Sequence, residues 1–480
     1  MSTRKSLAFS FLDRYASLAV NIVSSMFIAR LLTPGEIGVF SVTMVLLMFV
    51  TTVRDLGAGQ YLVQERELTT ERIRSVWAVQ LGLGLLLALV VLLASVPVAD
   101  FYGEPRMRNI MLVIALSYVI NPFGSLTYAW LMREMRFESV ALMRFTSVLC
   151  GALASVWLAW RGVGPISLAY GALTSTVANA AVAVYFRPQS FPWLPGLSEI
   201  RRVLAFGSRL TGSTIMTVIA NGAPELLVGK LQSLVAAGLF SRASGLVQMF
   251  HRLFVDAVAA VCLPWFAKQS REHGSHVEPF LKATAYVTAL GWSFCLAIVC
   301  LAHPVIRLLY GDQWDQSVDL ARLLAVAMAC SVPAALCQTA LLSAGAVSVI
   351  ARVTLASALQ SVALVALGAS QGLQALGLAM VFAAAITSMI WLRATQANLA
   401  VALGDLVRTF RQSAIVAVCA AIGPLASLWM FGSHPKAIAM PLALGGGGAL
   451  AGFVVGAMLT SHPIRDEFNA VWARLPFAGR

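Results

Sequence analysis

The chain has 480 residues, 59% of them hydrophobic and only 11% charged, with mean hydropathy +0.81. A soluble globule carries about 25% charged residues, so this chain cannot cover a water-facing surface and reads as a polytopic membrane protein. Lys and Arg exceed Asp and Glu by 34 to 21, a formal +13; no aromatic-plus-basic platform accompanies the excess, which argues against nucleic acid as the partner.

A spanning helix needs about 20 mainly apolar residues. That length predicts about fourteen spans in chain order: 10–32, 37–54, 75–97, 109–131, 140–160, 164–186, 206–228, 234–263, 283–303, 318–343, 348–368, 374–396, 411–431 and 437–459. The seventh, eighth and tenth are the least apolar, so twelve is the alternative count. No short apolar run followed by a small-residue cleavage site opens the chain, which predicts that the first span is retained. With the N-terminus inside, inner loops and tails hold seventeen Lys/Arg and outer loops six. The positive-inside rule then places both termini in the cytoplasm. The one sizeable outer loop, "HPVIRLLYGDQWDQSV" (303–318), carries Trp and Tyr suited to a membrane interface.

Residues 11–50 laid over 211–250 without a gap match at Asn21/Asn221, Leu31/Leu231, Gly38/Gly238, Phe40/Phe240, Ser41/Ser241 and Leu46/Leu246. Arg30 falls on Lys230, and Thr33 on Ser233. Each hairpin opens a block of six spans, and six is even, so the two blocks share one orientation. This predicts an all-α bundle of two parallel six-helix repeats with a site between the halves, a transporter architecture. The divisions are 1–204, 205–397, and 398–480 for two further C-terminal helices and a cytoplasmic tail.

Polar residues at membrane depth are costly and face a cavity or a partner. Helical spacing puts Arg14, Ser17, Asn21, Ser24 and Ser25 on one face of the first span, and Thr214, Thr217, Asn221 and Glu225 on one face of the seventh. On the eighth, Arg242, Gly245, Met249, Arg252 and Asp256 share a face, with Arg252 and Asp256 at i,i+4 spacing. His251 points away from that face. Guanidinium groups bind phosphate bidentately, so Arg14, Arg242 and Arg252, with Asn21 and Asn221, are the candidates to line a cationic, substrate-binding cavity. Glu225 and Asp256 are the candidates for ion coupling. Arg54, Arg144, Arg322 and Arg352, near span ends, have a competing reading as headgroup contacts or partners of nearby acids. Arg30 points away from Arg14 and reads as an interfacial anchor that pairs with Glu36 across the Pro34-Gly35 turn. The seven cysteines lie in or beside apolar segments with no metal-ligand company and read as small buried hydrophobes. No metal site and no cofactor is expected.

Enzyme classes lack support: there is no G-x-x-x-x-G-K-[ST], no H-E-x-x-H and no outer loop long enough for a membrane-embedded glycan polymerase or ligase. Four stretches, "ARLLTPGEIGVFSV" (29–42), "VRDLGAGQYLVQERELTTERI" (53–73), "AAGLFSRASGLVQM" (236–249) and "LLYGDQWDQSV" (308–318), resemble the polysaccharide transporter family of the multidrug/oligosaccharidyl-lipid/polysaccharide flippase superfamily. The resemblance implies an all-α, two-lobed bundle around a central cavity in the bacterial inner membrane. It also implies that undecaprenyl-diphosphate-linked oligosaccharide repeat units are flipped, without ATP hydrolysis, for O-antigen, capsule or exopolysaccharide. Membrane lipids, a polysaccharide polymerase and a chain-length regulator are the implied partners. A drug or metabolite antiporter and a peptidoglycan-precursor flippase of the same superfamily are the alternatives; the mainly basic intramembrane charge disfavours the first.

Overall fold

The computed structural model describes the backbone of residues 3–465 except 56–57, 66, 190, 274–275, 436 and 461. Side chains at 3–12, 53, 55, 58, 206–216, 257, 260, 267 and 270–273 lie outside the description, and with them Thr214 of the predicted stripe. Every regular element among the described residues is helical. The chain forms two compact units, Met1–Gly238 and Leu239–Arg480.

The first unit holds α1 (Thr3–Leu31), α2 (Pro34–Asp55), α3 (Ala58–Gln64), α4 (Thr70–Tyr102), α5 (Arg106–Arg133), α6 (Phe137–Trp160), α7 (Ile166–Phe186) and α8 (Ile200–Leu231), and ends in the first turn of α9 (Leu234–Phe250). Within it α5 packs on α4 and α7, α6 on α1 and α7, and α2 on α8. Its apolar core gathers Leu62, Val76, Trp77, Leu126 and Val203.

In the second unit a five-residue π-helical turn (His251–Val255) joins α9 to α10 (Asp256–His273). There follow α11 (Val277–Tyr310), a 3-10 turn (Asp312–Ser317), α12 (Val318–Ser331), α13 (Cys337–Ser343), α14 (Val347–Ala369), α15 (Leu373–Leu399), α16 (Leu403–Phe431) and α17 (Ala439–Leu459). The 34-residue α11 is its spine, packed by α12, α16 and α17. Its core includes Phe250, Phe266, Phe280, Leu336 and Cys337.

Eleven candidate spans among the described residues are long and apolar enough to cross a membrane. Helices α1, α8, α9 and α10 are not among them; α9 has only 17 residues, and side chains along α8 and α10 lie outside the description. A multi-pass, all-helical membrane protein is established.

The α1–α2 turn shows why charge sits there. Thr33 caps α2: its Oγ1 accepts from the Glu36 N–H at 3.3 Å, while the Glu36 carboxylate accepts from the Thr33 N–H at 2.9 Å. This reciprocal box satisfies two otherwise orphaned helix-end donors, with Pro34 in the first helical position, where its missing N–H costs nothing. Glu36 is therefore a helix cap. Two hundred residues on, Ser233 caps α9 by accepting from the Ala236 N–H at 3.0 Å. Helices α2 and α9 then cross at glycine on both sides: a Cβ on Gly38 would lie 1.7 Å from the Leu234 carbonyl oxygen, and one on Gly238 1.9 Å from that of Pro34. Positions 34 and 38 thus mirror 234 and 238, and only glycine permits so close a backbone approach.

Candidate substrate cavity

Arg54 at the end of α2 and residues 59–64 of α3 build one wall of a cavity in the first unit. After α2 ends, the short α3 lies against α4, α5 and α8. Arg133, from the last turn of α5, donates to the Leu62 carbonyl at 3.0 Å and to the Glu65 carbonyl. A cation there satisfies helix-end carbonyls and suits the negative end of the helix dipole. Glu65 in turn accepts from Arg72 at 3.5 Å and pairs with Arg202 at 3.2 Å. Burial first, and then the hydrogen bond to Glu65, push the Tyr61 phenol above its ordinary pKa. The linker between α7 and α8 is pinned nearby. Trp77 Nε1–H donates to the Trp193 carbonyl at 3.0 Å, and the Arg187 guanidinium stacks 4.0 Å from the Trp193 ring centroid.

The cavity that α3 helps to line has a volume of about 570 Å³. Arg54 reaches it from the end of α2, Gln60 and Gln64 from α3, and Gln80 from α4; Asn121, Ser125 and Tyr128 come from α5, and Asn179 from α7. Among the described residues the lining includes no carboxylate. The Arg54 guanidinium sits 5.5 Å from the Tyr118 ring centroid, a cation–π contact. Tyr118 is held by its hydroxyl, which donates to the Leu47 carbonyl at 3.2 Å and shares a hydrogen bond with Thr51. Gln80 is buried and accepts from Ser125 at 3.1 Å. Gly124 lets Asn179 lie against α5: a Cβ there would stand 2.5 Å from Asn179 Nδ2.

Of this set, sequence reasoning had singled out only Arg54. The carboxamides come from four helices: Gln60 and Gln64 lie four apart on α3, Asn121 lies four before Ser125 on α5, and Gln80 and Asn179 stand singly on α4 and α7. The available signal was the cost of a lone Gln or Asn at membrane depth.

The predicted site residues distribute between the two units. In the first, Arg14 is half-buried and Asn21 exposed, its amide donating to the Ser17 carbonyl of its own helix at 2.9 Å. Beside them buried Asp13 accepts from Ser17 at 3.2 Å and pairs with Arg144 of α6 at 3.7 Å. Asn221 is exposed and Glu225 half-buried on α8. In the second unit, Arg242 is half-buried, its guanidinium 5.5 Å from the Tyr310 ring centroid and 5.7 Å from that of Trp314. Arg252 and Asp256 are exposed at the π-helical turn.

Two local readings change. His251 Nε2 lies 3.6 Å from Asp256 Oδ1; the π-helical turn brings residues five apart onto one face, so the spacing of a regular α-helix misplaces His251. Tyr310 and Trp314 are buried instead of interfacial, Trp314 fully. Helix α11 runs on to Tyr310, and the 3-10 turn folds both rings inward, held by a bidentate pair between Arg307 and Asp315 (2.9 Å). Arg322 pairs with Asp319 at 3.0 Å, and Arg352 donates to the Ser348 carbonyl of its own helix at 3.3 Å.

Long apolar helices around a polar cavity define a multi-pass membrane transporter fold. It is similar to the solved structure of the Lipid II flippase MurJ in an inward closed conformation: TM-score 0.76, 13% identity, 94% of this chain and 98% of that one. An inward-facing multidrug transporter of the MATE family, MOP superfamily, is also similar, with TM-score 0.63, 14% identity, and 82% and 96% coverage. The family model described as "Polysaccharide biosynthesis protein" matches residues 27–319, and the chain belongs to that family. The succinoglycan biosynthesis transport protein ExoT of Rhizobium meliloti (strain 1021) is 24% identical over 332 residues, 68% of this chain and 67% of the relative. The lipopolysaccharide biosynthesis protein WzxC of Escherichia coli (strain K12) is 20% identical over 313 residues, 64% and 63% respectively. The chain thus aligns with about two thirds of the length of these relatives.

Proposed function

We propose that this protein is a flippase that moves undecaprenyl-diphosphate-linked oligosaccharide repeat units across the bacterial inner membrane for surface polysaccharide synthesis. Membership of the polysaccharide biosynthesis family is the observation that carries the reading; a basic set of polar residues on otherwise apolar helices agrees with an anionic lipid-linked cargo. Both termini lie in the cytoplasm, and the lobes are 1–204 and 205–397, followed by the C-terminal segment 398–480. Substrate enters from the inner leaflet. Its diphosphate meets Arg14, Arg242 and Arg252, with Asn21 and Asn221 beside them, and the prenyl tail stays in lipid. Glu225 and Asp256 exchange the coupling ion. The two parallel repeats rock to give alternating access, and a polymerase with a chain-length regulator takes the product.

The test replaces Arg242 and Arg252 together by Ala in cells that depend on this protein for surface polysaccharide. Lipid-linked oligosaccharide should accumulate on the cytoplasmic face; normal surface polysaccharide at equal protein level would count against the cationic site.

A further inference from the structure

The linker between α7 and α8, residues 187–199, has an irregular backbone that is nonetheless tied down. Arg74 Nε–H of α4 donates to the Leu194 carbonyl at 3.3 Å, and the Arg74 carbonyl accepts from the Gly196 N–H at 3.0 Å. Ser75 Oγ accepts from the Glu199 N–H at 3.1 Å, and Arg187 donates to the Pro192 carbonyl at 2.8 Å. The Trp193 carbonyl is held by Trp77 at 3.0 Å. A loop in bulk water has no need of such partners, because water supplies them. A loop at the edge of hydrocarbon does, since an unpaired backbone group is costly there.

The side chains of the linker show a second feature. Phe191 turns inward, buried with its ring centroid 5.8 Å from that of Trp130. Trp193, Leu194 and Leu197 turn outward instead, 56%, 70% and 78% exposed. Large apolar side chains held outward on a fixed backbone mark a contact surface. The exposed side of α7 runs into this surface through Val184 and Tyr185, the latter 83% exposed. Helix α7 has 21 residues, about 31 Å at ~1.5 Å per residue, which matches the ~30 Å hydrocarbon core. The linker therefore begins where acyl chains give way to headgroups, the level at which Trp is enriched. That continuity with a membrane-spanning face favours lipid over a protein as the occupant.

Charge agrees with an anionic lipid. Arg201 and Arg202, both exposed, open α8 with no acid in its first turn. Glu199 is the one carboxylate in residues 187–202. Arg202 lies 3.9 Å from it and pairs with Glu65 at 3.2 Å, whereas Arg201 faces outward.

We propose that the 187–199 linker is an interfacial anchor: Trp193, Leu194 and Leu197 sit in the inner leaflet at the boundary of acyl chains and headgroups, and Arg201 beside them draws anionic phospholipid. The anchor holds the inner ends of α4, α7 and α8 at one depth in the bilayer. The choice of leaflet rests on the orientation proposed above; the contact with lipid does not.

The test places a photocrosslinking residue, p-benzoylphenylalanine, at position 194 and separately at 197 of the full chain, and irradiates it in cell membranes. Phospholipid adducts should form at both positions. Adducts to a protein in place of lipid, or no lipid adduct at either position, would overturn the anchor; two independent exposed positions keep the test valid if one variant misfolds. In nanodiscs of equal phosphatidylglycerol and phosphatidylcholine, the adduct at 194 should favour phosphatidylglycerol. Arg201→Gln should lower that preference about fivefold, the effect of one arginine near an anionic surface, while Arg352→Gln should leave it unchanged. Equal adducts with both lipids, or a preference that Arg201→Gln does not alter, would overturn the role of Arg201. Crosslinking is read without transport, so its failure leaves the flippase reading standing, and failure of the Arg242/Arg252 export test leaves the anchor standing.

Discussion

Arg54 and Arg242 make the same elementary contact and end in different surroundings. Each guanidinium lies 5.5 Å from a tyrosine ring centroid, Tyr118 for the first and Tyr310 for the second. Arg54 then opens onto a cavity walled by carboxamides, whereas Arg242 meets a second aromatic face, the fully buried Trp314, at 5.7 Å. Their helices are also matched, since α2 and α9 cross at Gly38 and Gly238. A charge at membrane depth is therefore not a site by itself. What stands across from the guanidinium differs: a polar cavity for Arg54 and two aromatic faces for Arg242.

The strongest way to break this comparison is to remove one of those aromatic faces. Trp314→Ala should destabilise the second unit by about 3–5 kcal/mol, the usual cost of truncating a buried aromatic. Denaturant unfolding in detergent measures it, and a loss below about 1 kcal/mol would mean that Trp314 does not support Arg242 as described. The helix crossing comes next. Gly38→Val and Gly238→Val should cost at least the ~1–3 kcal/mol of overpacking, because each new Cβ meets a backbone carbonyl that cannot move aside like a side chain. Similar losses from the two variants would support the mirrored contact; one harmless variant would break it. Tyr118→Phe should cost about 1 kcal/mol by removing a hydrogen-bonding hydroxyl, yet leave the ring under Arg54; denaturant unfolding of the variant measures the loss.

The smallest effect separates the units by pH. All six histidines lie in residues 251–462, within the second unit. His462 is buried just beyond α17; its Nδ1 accepts from the Ile464 N–H at 3.2 Å, so Nε2 carries the proton toward Ser413 Oγ at 3.3 Å. Burial lowers its pKa, more than the backbone hydrogen bond near Ala285 raises it. The unfolded chain therefore binds this proton more readily. The contribution of His462 to stability is complete above the ordinary histidine value of about 6.5, and is lost as pH falls from there toward the lower folded value. Hydrogen exchange at pH 7.5 and 5.5 should show loosening around α16 and α17. The same loosening at α4 and α5, which contain no histidine, would show that His462 is not its cause.

Much of the scaffold was legible because hydrophobic length is a strong signal: the predicted segments fall on helical elements, although 234–263 and 318–343 are each interrupted, at 251–255 and 332–336. The turn at 33–36 was legible as a turn; the capping box between Thr33 and Glu36 was not, since a capping box and a surface ion pair use the same residue types. His251 was misplaced because nothing in "HRLFVD" announces a π-helical turn. Tyr310 and Trp314 looked interfacial because aromatic residues near a charged loop suit either lipid headgroups or a folded-back core, and only packing distinguishes the two.

By itself the sequence determined a helical membrane protein, its family resemblance and the basic character of its intramembrane charge, all of which follow from composition and local motifs. Tertiary structure alone decided where that charge acts. A cavity is made by side chains from separate helices, and no spacing along one helix encodes the convergence of Arg54, Gln80, Asn121 and Asn179. Their proximity depends on how α2, α3, α4, α5 and α7 pack, and that is set by the shapes of their apolar faces together.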